Sequence, residues 1–155
     1  MKKPITDTTV CTNKKATFRF ELLDRLDCGI VLHGTEVKSL RTQSASLDES
    51  YVRIERGELW LIDFHIAGYK FGHTKTHEAL RRRKLLVHAR EMHKLKPRVE
   101  QKGLTLVPIR VYFNERGLAK VTIALARGKR LGDKREALKK RDQQREMDRA
   151  ARRRR

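Results

Sequence analysis

The chain has 155 residues, room for one domain of ordinary size. Its 38 Lys+Arg against 19 Asp+Glu give a net charge of +19, so a compact form repels itself unless a polyanion neutralises it. Nucleic acid is the leading candidate and an anionic membrane surface the second, although no run of about 18 apolar residues exists to span a bilayer.

The start, Met1-Lys2-Lys3-Pro4, lacks the apolar core of a signal peptide, so a reducing cytoplasm is the expected compartment. Cys11 and Cys28 have no metal or redox spacing and read as plain thiols. Asn13-Lys14-Lys15 leads into the first structured segment. There Ala16, Phe18, Phe20 and Leu22 alternate with Thr17, Arg19 and Glu21, the period of a half-buried strand. Asp27-Cys28-Gly29 reads as a turn into a second short strand over 29–33. After His33-Gly34-Thr35, residues 36–42 suit a short helix, with Thr35 as N-cap and Glu36 at the positive end of its dipole. Val37 and Leu40 would let that helix plug one end of the body.

Residues 51–55 and 59–64 flank Arg56-Gly57 and predict a hairpin. His73 and His77 stand four apart in a loop-like stretch with no third ligand at a usable offset. They read as solvated histidines able to touch phosphate, and no metal is expected. Arg81-Arg82-Arg83-Lys84 precedes a helical stripe, Leu85, Ala89, Met92, Leu95 and Val99, predicting a helix over 84–102. Four cations at a helix start oppose its dipole and point to phosphate as their partner. Pro97 should kink or split this helix, and Gly103 should close it. A second hairpin spans 105–113 and 117–126 around Asn114-Glu115-Arg116-Gly117.

About half of the excess charge lies in 127–155, with 14 Lys+Arg and 5 Asp+Glu. This segment has no apolar period but is rich in helix formers, with Glu136 and Lys140 a favourable pair. It reads as a tail that is disordered alone and helical when bound to RNA. The fold class is therefore mainly β with helices: an OB-like closed barrel of about six antiparallel strands and three short helices over 1–127, and a basic tail over 128–155. No Gly-x-Ser-x-Gly, P-loop or Gly-x-Gly-x-x-Gly occurs, and no carboxylates pair as an acid and base, so no enzyme is expected. A dedicated RNA-binding protein, a ribosomal protein with a basic tail and, in third place, a metal-dependent nucleic-acid enzyme remain as readings.

Four blocks narrow this. They are residues 13–20, residues 28–41 with Gly34-Thr35-Glu36-Val37-Lys38-Ser39-Leu40-Arg41, residues 83–88 followed by 102–108, and residues 126–135 with Asp133-Lys134-Arg135. In this order they resemble the SsrA-binding protein (SmpB) family of bacterial trans-translation. The resemblance implies a barrel that binds the tRNA-like part of transfer-messenger RNA, and a tail that lies in the empty messenger channel near the decoding centre of a stalled ribosome. It implies RNA contacts from Asn13, Asp27 (where the family usually has Glu), Arg83, Lys84 and Leu86. The basic run adds Lys14 and Lys15 to this RNA-binding set, and Lys38 and Arg41 join it as cations that suit either RNA or the helix's own packing. It implies ribosome contacts from Lys129, Arg130, Asp133, Lys134 and Arg135. It further implies elongation factor Tu as a partner through the charged RNA, a monomer, and no cofactor. Gly132 departs from the family's His or Tyr, so either another residue makes that contact or the tail's helix begins later.

Overall fold

The computed structural model describes residues 8–71, 76–101 and 103–153. In chain order the elements are β1 (Thr8–Thr12), α1 (Ala16–Arg19), β2 (Phe20–Ile30), α2 (Gly34–Arg41), β3 (Ala45–Ser46), β4 (Tyr51–Glu55) and β5 (Glu58–Ile62). There follow β6 (His65–Ile66), β7 (Arg83–Leu86), α3 (Ala89–Glu100), β8 (Leu104–Phe113), β9 (Ala119–Gly128) and α4 (Leu131–Arg153).

Seven strands form one antiparallel sheet in the order β1-β8-β4-β5-β7-β2-β9, and β9 pairs back onto β8. The pairing therefore returns on itself through six strands. β8 makes this possible. One of its edges carries β9 from Leu104 to Phe113, and the other carries β4 at Leu106 and β1 from Arg110 to Phe113. β3 and β6 form a separate two-stranded ladder.

Both expected hairpins are present. β4 and β5 turn at Arg56 and Gly57, whose φ values of +50° and +75° suit a tight turn between right-twisted strands. β8 and β9 turn at 114–118, where the Asn114 side chain accepts from the Arg116 and Leu118 N–H groups at 3.1 and 2.9 Å.

Three expectations are corrected. Residues 16–19 form a short helix, not a strand. The helix tucks Ala16 against Val107 and Ala126 in a small second core, and puts Lys15 and Arg19 together over Glu49. Asp27-Cys28-Gly29 is not a turn, because β9 supplies a partner for β2 from Phe20 to Gly29 and extends it into one eleven-residue strand. The helix expected over 84–102 begins only at Ala89. Residues 83–86 are a strand, wedged between β5 and β2. Pro97 lies within α3 as a continuous helix, and Gly103 (φ +85°) starts the turn into β8. Among the described residues there are four helices, and α1 is at a place where none was expected.

The interior follows strand alternation. Leu59, Leu61, Leu85, Leu106, Val111, Val121, Ile123 and Leu125 all point inward and are buried. Leu40 of α2 is fully buried among them, and the Met92, Leu95 and Val99 stripe of α3 packs against the same core. Each such large aliphatic contributes roughly 1.5–3 kcal/mol by leaving water. Both cysteines are free, and burial pushes their thiols up, Cys11 to about 11 and Cys28 to about 12.

Candidate nucleic-acid interface

The polar residues on the outside of β8, β9 and β2 form a row set by register. Arg110, Thr122 and Asp27 are direct cross-strand partners on three adjacent strands. The Arg110 Nε–H donates to Thr122 Oγ1 at 3.2 Å, and the Thr122 hydroxyl donates to Asp27 Oδ1 at 2.5 Å. Asp27 itself is exposed, so its second oxygen faces solvent while the first is held in place. Thr122 and Arg110 were missed in the sequence. The register of the 114–118 turn was the signal that could have placed 110 across from 122.

Two residues further along β2, Gly29 opposes Leu86 of β7. A Cβ at Gly29 would sit 3.2 Å from Leu86 Cβ, so glycine permits this close approach. Leu86 is 51% exposed and shares a groove of about 390 Å³ with Val37, Leu118 (56% exposed) and Lys120. Lys84 also points outward, with its ammonium 2.5 Å from Glu58 Oε1. On α2, Lys38 lies over the Tyr69 ring at 5.4 Å, and Arg41 over Phe113 at 4.8 Å.

Arg83 is not part of this surface. Strand alternation sends Arg83 inward beside Leu61 while Lys84 and Leu86 face out. Its side chain is 0% exposed. It pairs with Glu36 at 2.9 Å and donates to the Phe64 and Ala79 carbonyls at 2.5 and 3.2 Å. A guanidinium with those partners cannot reach a phosphate in this fold, so its expected RNA contact is withdrawn. Glu36 is equally buried. It also takes Arg81 at 2.8 Å and the His33 N–H at 2.7 Å. Burial alone would raise the Glu36 pKa, but the Arg81 hydrogen bond, the His33 N–H and the Arg83 charge together hold it at about 2. His33, not Thr35, is the N-cap of α2. The Thr35 hydroxyl meets His77 Nδ1 at 3.0 Å, and His77 Nε2 lies 3.0 Å from the Ile66 carbonyl. His77 is thus a structural bridge between α2 and β6 rather than a solvated loop residue. His73 lies outside the described residues, and among those described no three His, Cys, Asp or Glu group to hold a metal.

A second group lies where the chain enters and leaves the sheet. Asn13 is fixed from both ends: its N–H donates to the Ile109 carbonyl at 2.7 Å and its side-chain amide to the Pro108 carbonyl at 3.1 Å. Lys14 is exposed. Lys15 and Arg19 share Glu49 at 3.2 and 3.3 Å, and hold its carboxyl below the usual range, Arg19 first. The Lys129 ammonium donates to the Thr17 carbonyl at 2.7 Å and its N–H to Arg19 at 3.1 Å, so the root of the tail is pinned to α1. Arg130 precedes α4, and the Lys134 N–H to Arg130 carbonyl bond (3.1 Å) opens the helix. Asp133 sits in the first turn, where its charge suits the dipole. Gly132 lies inside this helix, so the alternative of a later start is excluded. No helix of the described residues is long and apolar enough to cross a membrane.

The expected residues thus gather in two places, Asp27 and Leu86 towards the Ile30 end of β2 and Lys15, Lys129 and the root of the tail by its Phe20 end, with Asn13 held between them at Pro108 and Ile109 of β8. A strand ring with a polar, cation-edged outer face and a 23-residue basic helix leaving one end is the build of a small protein that engages a polyanion. The family model described as SmpB protein matches residues 10–153. An "SsrA-binding protein" of Chelativorans sp. (strain BNC1) is 53% identical over 149 residues, covering 96% of each chain. One from Rhodopirellula baltica is 51% identical over 146 residues, covering 94% of this chain and 83% of that one. A solved structure described as "tmRNA-SmpB: a journey to the center of the bacterial ribosome" holds a chain 45% identical to this one, with a TM-score of 0.65, covering 88% of this chain and 95% of that chain. The chain belongs to the SmpB family.

Proposed function

We propose that this chain binds the tRNA-like domain of transfer-messenger RNA and delivers it to stalled ribosomes for trans-translation, with the tail probing the empty messenger channel. The observation that carries the reading is the extent of the likeness. Relatives described as SsrA-binding proteins match at about half identity through both sheet and tail. The six-strand ring is read as an OB-like closed barrel and α1 to α3 as its three short helices. Asn13, Lys14, Lys15, Asp27, Lys38, Arg41, Lys84 and Leu86 serve the transfer-messenger RNA. Lys129, Arg130, Asp133, Lys134 and Arg135 serve the ribosome, the tail ordering fully as helix there. The protein acts by binding rather than catalysis, as a cytoplasmic monomer, and meets elongation factor Tu through the charged RNA.

Asp27 cannot serve by charge, since a carboxylate repels phosphate. Its free oxygen suits a base N–H or a ribose hydroxyl. Leu86 suits the apolar face of a base or ribose. Lys84 is the one cation of the 81–84 run both outward-facing and on the Leu86 strand. Lys84→Ala is expected to lower the slope of log affinity against log salt by about one, and an unchanged slope would take Lys84 off the RNA.

The decisive test is binding of the purified chain to the tRNA-like domain near physiological salt, with excess ordinary tRNA as competitor. Tight binding that survives the competitor supports the reading. Binding lost to the competitor would overturn it in favour of a general ribosomal-RNA binder.

A further inference from the structure

Single exposed apolar side chains are ordinary on protein surfaces. Phe71, at 78% exposure the most exposed large apolar residue among those described, is not single. Its ring packs edge-on against Tyr69, with centroids 5.8 Å apart and planes at 68°. Tyr69 in turn lies beneath the Lys38 ammonium of α2. The Tyr69 N–H donates to Thr76 Oγ1 at 3.1 Å, and the Thr76 methyl lies 3.2 Å from where a Cβ at Gly68 would be, so Gly68 and Tyr69 are tied to Thr76. Tyr69 is therefore held, and Phe71 is exposed beside it. Lys70 is exposed between them.

The surrounding charge decides what such a platform can take. Lys38 and Arg41 lie one helical turn apart on α2, and each sits over a ring rather than against a carboxylate. Among the described residues neither is in an ion pair. A face with open π surface and uncompensated cations matches a nucleotide, which brings a flat base and a phosphate together. It does not match an apolar protein helix, which would leave the cations without partners.

We propose that Tyr69 and Phe71 form a stacking platform for one unpaired base of transfer-messenger RNA, with Lys38 taking the neighbouring phosphate. The choice of RNA rests on the function proposed above and on continuity, because Val37 of the same helix lines the groove that holds Leu86.

The test compares the full-length protein with its Phe71→Leu and Phe71→Trp variants, on the tRNA-like domain and on stalled ribosomes lacking transfer-messenger RNA. An exposed side chain leaves the fold intact, which the melting curve verifies. Phe71→Leu is expected to weaken binding to the tRNA-like domain about tenfold, the effect of one lost stack. The salt slope stays unchanged because the ring is neutral, and Phe71→Trp restores affinity. Leucine binding as tightly as phenylalanine, or tryptophan failing to rescue, overturns the platform. A defect confined to ribosomes assigns it to ribosomal RNA, and a loss of self-association assigns it to a second copy; both overturn the proposal. If the wild-type protein itself does not bind the tRNA-like domain, the proposed function falls first, and that is seen before any variant is compared.

Discussion

Removing residues 131–155 is expected to abolish tagging of peptides on stalled ribosomes while leaving binding to the isolated tRNA-like domain within a few-fold of wild type. The cut falls at 131 because β9 runs to Gly128 and α1 still holds Lys129 through Thr17 and Arg19. Beyond that point α4 adds little to the fold. Leu131, Leu138 and Met147 are 75%, 47% and 60% exposed, so no apolar face of the helix is committed to the sheet. Its main contact with the body is with α1. A helix of 23 residues reaches about 35 Å from that anchor, carrying its cations away from the sheet. The assay is peptide tagging on ribosomes stalled at the end of a truncated message, beside RNA binding by the same truncated protein. Tagging by the truncated protein would end the assignment of the tail to the messenger channel.

Glu36→Ala is expected to be the most destabilising single substitution in the sheet domain, costing about 3–5 kcal/mol. The reason is what it leaves behind. Arg83 remains fully buried and charged, with the Phe64 and Ala79 carbonyls and the Phe64 ring as its partners and no carboxylate paired to it among the described residues. Arg81 loses its carboxylate partner as well, keeping the Arg82 and Val31 carbonyls. Arg83→Leu should cost less, since Glu36 keeps Arg81 and the His33 N–H. Replacing Glu36 and Arg83 together by apolar residues should recover part of the Glu36→Ala loss. Denaturant unfolding reads all three. A Glu36→Ala midpoint near wild type would mean water reaches Arg83.

Glu36, held by Arg81, the His33 N–H and Arg83, also sets an acid limit. The carboxyl is held at about 2 in the folded protein, against 4.5 ordinarily. Its contribution is therefore full above about pH 4.5 and is lost as pH falls towards 2, on the order of 3 kcal/mol over that window. Glu36→Gln should flatten the stability profile there.

What the sequence determined by itself is the class and the local geometry. Net charge selects a polyanion, because self-repulsion at +19 has to be offset. Period-two runs around Arg56-Gly57 and Asn114-Gly117 place both hairpins, since alternation and turn chemistry act within a few residues. Motif blocks were enough to point to the family. What only the tertiary structure decided depends on partners far along the chain. Alternation in residues 16–22 predicts a strand, but Val107 and Ala126 draw Ala16 into a helix. The 81–84 cations look like one outward run aimed at phosphate. β5 and β2 instead make residues 83–86 a strand, and a strand sends neighbours to opposite faces. Arg83 goes inside because Glu36, 47 residues away, is waiting there. A charge is buried only where a partner compensates its lost hydration, and no local pattern carries the position of that partner.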